Sequence, residues 1–300
     1  MKKILAAVAL SALAFAAQAQ QFTVATGDSK TGSTYSKMFQ EFANFCSRDV
    51  QLQEVETTGS VKNVELLVGN QVNAALVQSD LLAFRRLTDE ASVANIRTIF
   101  ALHPEELHFI ARADVKKEGG IMGFGGTKVS FDTVDDLMGR PVGAVGGSVL
   151  SARVVSAKSG LNLQVVELPN NDALLDALLS GKLDSILVVG GAPMKMVQGL
   201  DGRFKLLSLS PDLQKRLSDV YAPAKVSYGN LNQAGVNTIS TEALLVTRTY
   251  RSPAMLTNIS KLRECFSTNL ANIQDFPKTH PKWQVVDSAN HGKWTWYDIK

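Results

Sequence analysis

Two stretches of this 300-residue chain repeat one pattern. Leu66-Leu67-Val68-Gly69-Asn70-Gln71-Val72-Asn73 leads into the apolar run 74–77, and Leu178-Leu179-Ser180-Gly181-Lys182-Leu183-Asp184 leads into the run 185–188; the two align through their glycines with a one-residue gap. Each reads as a helix closed by a glycine at its C′ position, a turn with Asn or Asp, then a buried strand. Such turns occur in any α/β protein, but here each copy follows a Gly-Ser helix start, at Thr58-Gly59-Ser60 and at Gly146-Gly147-Ser148. A helix-turn-strand unit used twice confines the chain to an α/β architecture with two related halves.

The rest of the sequence fits that frame. Residues 22–25, 51–57, 74–78 and 96–102 read as strands and 34–48, 60–68 and 80–87 as helices, with Tyr35, Met38, Phe39, Phe42 and Phe45 at helical spacing on one apolar face. This βαβ order predicts a mostly parallel sheet covered on both faces, with ligands bound beyond the carboxyl ends of the strands. A turn at His103-Pro104-Glu105-Glu106 precedes another strand at 107–111. Lys116-Lys117-Glu118 and five glycines between Gly119 and Gly126 then read as a flexible surface hairpin, because the run lacks the Gly-Lys-Ser/Thr ending of a phosphate loop. Strands at 141–145, 163–168 and 185–189 alternate with helices at 149–159 and 172–179, a second α/β unit. A strand at 241–247 returns antiparallel to 107–111, followed by a helix over 253–272. The chain therefore crosses twice between lobes: residues 20–108 plus 241–300 form lobe one, residues 109–240 form lobe two, and the two crossing strands form a hinge. Two lobes also suit a length that exceeds one ordinary hydrophobic core. The aromatic tail from Phe276 to Tyr297 is expected to wrap back on lobe one without a functional role.

Lys2 and Lys3, an apolar run over 4–17 and the small residues Ala17 and Ala19 have the layout of a signal peptide spanning residues 1–19. Its loss lowers the formal net charge from +3 to +1, too little field to attract nucleic acid or an anionic membrane. Cys46 and Cys265 are the only cysteines. In an oxidising compartment such thiols tend to pair, so a Cys46–Cys265 disulfide is expected, with two buried thiols as the alternative.

The residues with chemical potential lie in three loops running from a strand into a helix. These hold Thr31, Gly32, Ser33, Thr34 and Tyr35; Thr58, Gly59 and Ser60; and Gly146, Gly147 and Ser148. Ser and Thr are common helix caps, yet three such loops in equivalent positions place free N–H groups, hydroxyls and the positive ends of helix dipoles where a carboxylate or phosphate can bind. Gln78 and Ser79 end one strand at the edge where ligands sit, and Asp80 either caps the next helix or meets a ligand ammonium group. Gly191, within Gly190-Gly191-Ala192-Pro193, is their counterpart in the second half, with Pro193 suited to a first helical turn. Against catalysis, the four histidines show no zinc-binding spacing, no Gly-x-Ser-x-Gly elbow occurs and neither cysteine lies in a Cys-x-x-Cys motif. No metal or cofactor is expected. A ligand sensor signalling to a membrane kinase and, more remotely, a hydrolase are the competing readings.

Taken together, these residues resemble the TAXI class, the periplasmic binding subunits of TRAP transporters. Gly32-Ser33-Thr34-Tyr35-Ser36 is similar to the family's Gly-Thr-Tyr-Tyr loop, one tyrosine short, and Thr57-Thr58-Gly59-Ser60-Val61-Lys62-Asn63 to its Thr-Gly-Gly-Ser-Val-Glu-Asn. Ala75-Leu76-Val77-Gln78-Ser79-Asp80 and Ala243-Leu244-Leu245-Val246-Thr247-Arg248 reproduce two further motifs, and Pro104-Glu105-Glu106-Leu107-His108 is similar to a third. Valine at 149 departs from the Gly-Ser-Gly-Thr of the second-lobe loop, and Asp28-Ser29-Lys30 inserts charge before Gly32. The resemblance covers about 22–272. It implies a type II periplasmic-binding-protein fold, a small anionic organic ligand such as a carboxylate or amino acid, TRAP membrane subunits as partners, a periplasmic location, a monomer and no enzymatic activity.

Overall fold

A computed structural model describes residues 21–31, 33–114, 116–118 and 127–298. The expected signal segment 1–19, Gly32 and the glycine run 119–126 lie outside the described residues. The chain opens with β1 (Phe22–Ala25), α1 (Thr34–Cys46), β2 (Leu52–Val55), α2 (Ser60–Val68), β3 (Ala74–Gln78), α3 (Ser79–Thr88) and the single turn α4 (Glu90–Val93). The long strand β4 (Ile96–Arg112) leads out of this half, and β5 (Lys116–Glu118) pairs antiparallel with β6 (Thr127–Val129) as the stem of the expected hairpin. There follow β7 (Pro141–Ala144), α5 (Gly147–Ser159), β8 (Gln164–Glu167), α6 (Asn171–Leu179), β9 (Ser185–Gly190), α7 (Lys195–Gln198), β10 (Phe204–Leu206), α8 (Pro211–Arg216) and β11 (Ala222–Tyr228). A second long strand, β12 (Gln233–Arg248), returns, and α9 (Pro253–Asp275) precedes a 3-10 turn over Pro281–Val285.

Among the described residues the main sheet runs β2-β1-β3-β12-β4-β9-β7-β8. Its two ends, β2-β1-β3 and β8-β7-β9, are parallel triplets in the same order, and the antiparallel pair β12 and β4 joins them. The halves are thus two copies of one βαβαβ unit, joined side by side through the strands that cross between them. Their repeat aligns differently from the sequence reading. The residue that leaves each helix in the left-handed conformation is Asn70 (φ 58°) in the first half and Gly181 (φ 73°) in the second, whereas Gly69 stays at φ −74°. Asn tolerates that conformation through its short polar side chain. Aligning the left-handed positions removes the gap, and the closing hydrogen bonds match pair for pair: Asn70 N to Leu67 O with Gly181 N to Leu178 O, and Gln71 N to Leu66 O with Lys182 N to Ala177 O.

The equivalence of the Gly-Ser starts also changes. Gly146 to Ser148 follow the first strand of their unit, so their counterpart is the loop before Tyr35; the counterpart of Thr58 to Ser60 is the β8–α6 loop before Asn171. The expected turn at His103-Pro104 is absent, because β4 is continuous from 96 to 112. Its partner register slips by one residue, from Glu242 opposite Pro104 to Leu244 opposite Ala101. A bulge of this kind accommodates a proline that has no N–H to give the ladder. The return strand likewise starts earlier than expected, at Gln233, where β11 pairs with it.

Residues alternate between the two faces of the sheet, and so do its cores. In the first half Leu76, Phe100 and Leu245 pack with Phe42, Phe266 and Trp283, while Val77, Ala101 and Leu244 pack with Leu67, Leu82 and Trp294. In the second, Phe109 and Leu187 belong to one cluster and Ile110 and Val188 to another. Cys46 at the end of α1 and Cys265 in α9 are joined by a disulfide, Cα to Cα 5.8 Å, across the first of these cores. No helix of the described residues is long and apolar enough to cross a membrane.

Candidate ligand-binding cleft

Carboxyl ends of strands and starts of helices from both halves converge on a cleft of about 880 Å³. The first half contributes Ser33, Thr34, Tyr35, Thr58, Gly59, Ser60, Gln78 and Glu105, and the second contributes Gly147, Ser148, Asn171, Gly191, Met194 and Lys195. Helices α1, α2 and α5 begin at this cleft, at the N-cap positions Ser33, Gly59 and Gly146, and receive no side-chain cap, whereas α6, whose Asn171 also lines it, is capped by Asn170. The first turns of α1 and α2 and the Gly147 amide of α5 therefore direct N–H groups and the positive ends of their dipoles toward the shared space, while the Ser148 and Val149 amides bond the Val145 and Gly146 carbonyls. Gly59 (φ 117°) and Gly146 (φ 55°) hold backbone conformations that suit glycine at these entries.

A hydrogen-bond chain stiffens one wall. The Gln78 amide donates to Ser60 Oγ (3.2 Å), which donates to Tyr35 Oη (3.5 Å), which donates to Glu105 Oε2 (3.4 Å). Burial, reinforced by the Glu105 charge, pushes the Tyr35 phenol well above its ordinary range, so it stays a donor. Glu105 is buried, and its other oxygen lies 3.6 Å from His103 Nε2. In the second half Ser148 Oγ accepts from the Val189 amide (3.1 Å) at the matching strand end. Ser60 and Ser148 thus brace the strand ends as well as facing the cleft.

The two halves touch across the cleft where glycines remove a side chain. A Cβ on Gly147 would stand 2.8 Å from Gln78 Oε1, and one on Gly191 would stand 2.1 Å from Lys282 Cε. Lys282, with His280, Pro281 and Val285, reaches the cleft from the C-terminal segment. That segment is anchored on the first half by Glu41, whose carboxylate accepts from the His280 amide (3.0 Å) and from Trp283 Nε1 (2.8 Å). The tail packs on the first half as expected, but it also supplies a cleft wall.

Not every candidate reaches this space. Thr31 ends a short 3-10 helix, Ser29–Thr31, and Gly32 lies outside the described residues. Ser79 turns away, its hydroxyl 2.9 Å from Thr241 Oγ1 in β12, and the lining includes Gly147 but not Gly146. Asp80 neither caps α3 nor faces the cleft: its Oδ2 accepts from Ser151 Oγ (2.6 Å) and Tyr221 Oη (3.0 Å), joining α3 to the second half. Burial raises its carboxyl. Pro193 does not open a helix; it follows a cis peptide bond two residues before α7. Asn171 was legible once the β8–α6 loop is matched to Thr58–Ser60, whereas His280 and Lys282 carry no local signal. Among the described residues no group of three His, Cys, Asp or Glu side chains could share a metal ion.

Residues 24–279 match the model of the NMT1-like family. No curated protein matches the chain. Among solved structures, Tv2483 bound to L-arginine superposes with a TM-score of 0.52 at 13% identity over 88% of this chain and 90% of that one, which shows a common fold. The substrate-binding protein of an amino acid ABC transporter gives 0.49 at 11% identity over 85% and 97%. A TctC solute-binding protein from Polaromonas gives 0.48 at 16% over 88% and 85%.

Proposed function

From a chain that belongs to the NMT1-like family, we propose a periplasmic solute-binding protein that closes two lobes, 20–108 plus 241–300 and 109–240, on a small carboxylate or amino acid. The observation that carries this reading is the convergence of three uncapped helix starts, two from one half and one from the other, on a single cleft. Backbone N–H groups at helix starts bind carboxylates without a committed positive charge. Gln78 and Asn171 offer neutral groups that read further polar atoms of the ligand. Among the described residues the cleft lining holds no aromatic platform of the kind that stacks on sugars: its aromatic side chains are Tyr35 and His280, and the Tyr35 hydroxyl is tied to Ser60 and Glu105.

The motifs at 75–80, 104–108 and 243–248 support placement in the TAXI class, delivering ligand to TRAP membrane subunits as a monomer. Native mass spectrometry of the protein as isolated tests the ligand class: a co-purified carboxylate or amino acid is the expected mass, and a sugar overturns the assignment. Small-angle scattering with and without a pool of dicarboxylates and amino acids tests the clamp, which should become more compact with ligand.

A further inference from the structure

Among the described residues Lys282 is the one lysine or arginine that the C-terminal segment brings into the cleft wall, and its surroundings are built. Pro281 precedes it, the Trp283 ring that follows is buried in the first core, and Gln274 donates to the carbonyls of Trp283 (2.9 Å) and Val286 (3.0 Å). The backbone that carries Lys282 is therefore fixed while its side chain extends toward the second half. There Gly191 makes room for it: with any Cβ at 191, Cε and Nζ would have to leave their present positions.

Its ammonium is underused where it stands. Among the described residues its sole ionic partner is Glu106, at 3.6 Å, beyond hydrogen-bond length. The same Glu106 oxygen already accepts a 2.6 Å bond from the Ala192 amide. Both side chains are largely shielded, 12% and 13% exposed, so the pair sits in a partly desolvated stretch of the cleft wall. An oxyanion entering the cleft beside Gly191 would offer what Glu106 does not, a short charge-assisted bond.

We infer that Lys282 is a ligand-binding residue contributed by the C-terminal segment, which turns from Glu106 to a carboxylate of the bound solute as the halves close over it. The inference rests on the reading of the cleft as a carboxylate site. Calorimetry with L-glutamate, L-arginine and succinate as probes separates the two. If wild-type protein binds none of the three, the carboxylate reading fails and the inference with it. If wild-type protein binds and Lys282→Met binds as tightly, the inference alone is overturned.

The expected result is a loss of roughly 10- to 100-fold for Lys282→Met, the range of a charge-assisted hydrogen bond. Lys282→Arg should recover most of that loss, and the ligand-free melting temperatures of all three proteins should agree. Lys282→Gln gives a second route should Lys282→Met fail to fold. It keeps a polar chain but removes the charge, and should weaken binding as well; unchanged affinity in that variant would overturn the inference.

Discussion

Single buried groups set how this protein responds to acid. Burial pushes the His108 imidazole down to about 4, and its Nε2 lies 2.8 Å from Tyr228 Oη. An imidazole in the unfolded chain titrates near ~6.5, so between the two values the unfolded state binds the extra proton. The stability His108 contributes is complete above about pH 6.5 and falls by roughly 3 kcal/mol as the pH is lowered to about 4. Asp80 acts in the opposite sense: its raised carboxyl holds a proton that the unfolded chain has released, so its contribution declines as the pH rises from the ordinary carboxylate value. Melting curves from pH 4 to 8 separate them, since His108→Gln should flatten the acid side and Asp80→Asn should remove the decline above it; unchanged curves would refute both assignments. Ser60→Ala leaves the Gln78 amide without its acceptor in a buried wall, and should cost about 1 to 3 kcal/mol of stability by chemical denaturation, in addition to weakening ligand binding. At this scale the sequence shows which residue types are present but not where they turn. Ser79 and Asp80 stand beside Gln78 in one motif, yet they bond Thr241, Ser151 and Tyr221, all at least 71 positions away.

Elements were legible wherever periodicity or a turn residue marks them, and illegible where a long-range partner overrides the local signal. α1 and α9 follow from their apolar spacing, and the αβ repeat follows from its pattern, although its true register depends on Asn70 doing the work of a glycine. β4 did not follow, because Pro104 reads as a break until β12 lies beside it and a bulge absorbs the missing donor. The cleft role of the C-terminal segment was hidden too, since it depends on Glu41, 239 positions from His280. The disulfide between α1 and α9 joins two elements whose faces already pack together, so its removal should lower stability without abolishing the pairing of these helices. The chain-entropy effect of so long a loop is about 5 kcal/mol, which native strain reduces. Paired Cys46→Ser and Cys265→Ser replacement should show that loss in denaturation, and mass spectrometry of unreduced protein should find no free thiol in the wild type.

For the molecule as a whole, the halves meet at opposed surfaces of different character: glycine against side chain in the cleft, and Asp80 against Ser151 and Tyr221 beside the crossing strands. Gly147→Val would hold Gln78 away from the second half. It should leave scattering profiles with and without ligand alike, while wild-type protein contracts; a contraction equal to wild type would show that the approach at Gly147 is not needed for closure. The disulfide has a further consequence in time. Cys46 and Cys265 are 219 positions apart, and the whole second half lies between them. A chain emerging from its N-terminus presents the first cysteine early and the second only after that half has been made, so the bond that secures the first half is the last to become available. The second half, whose strands β7, β8 and β9 pair in a triplet of their own, can therefore be structured while the first is still waiting for α9, an order that domains folding as units permit. Oxidation then closes a ring that holds the whole of the second half between its two cysteines.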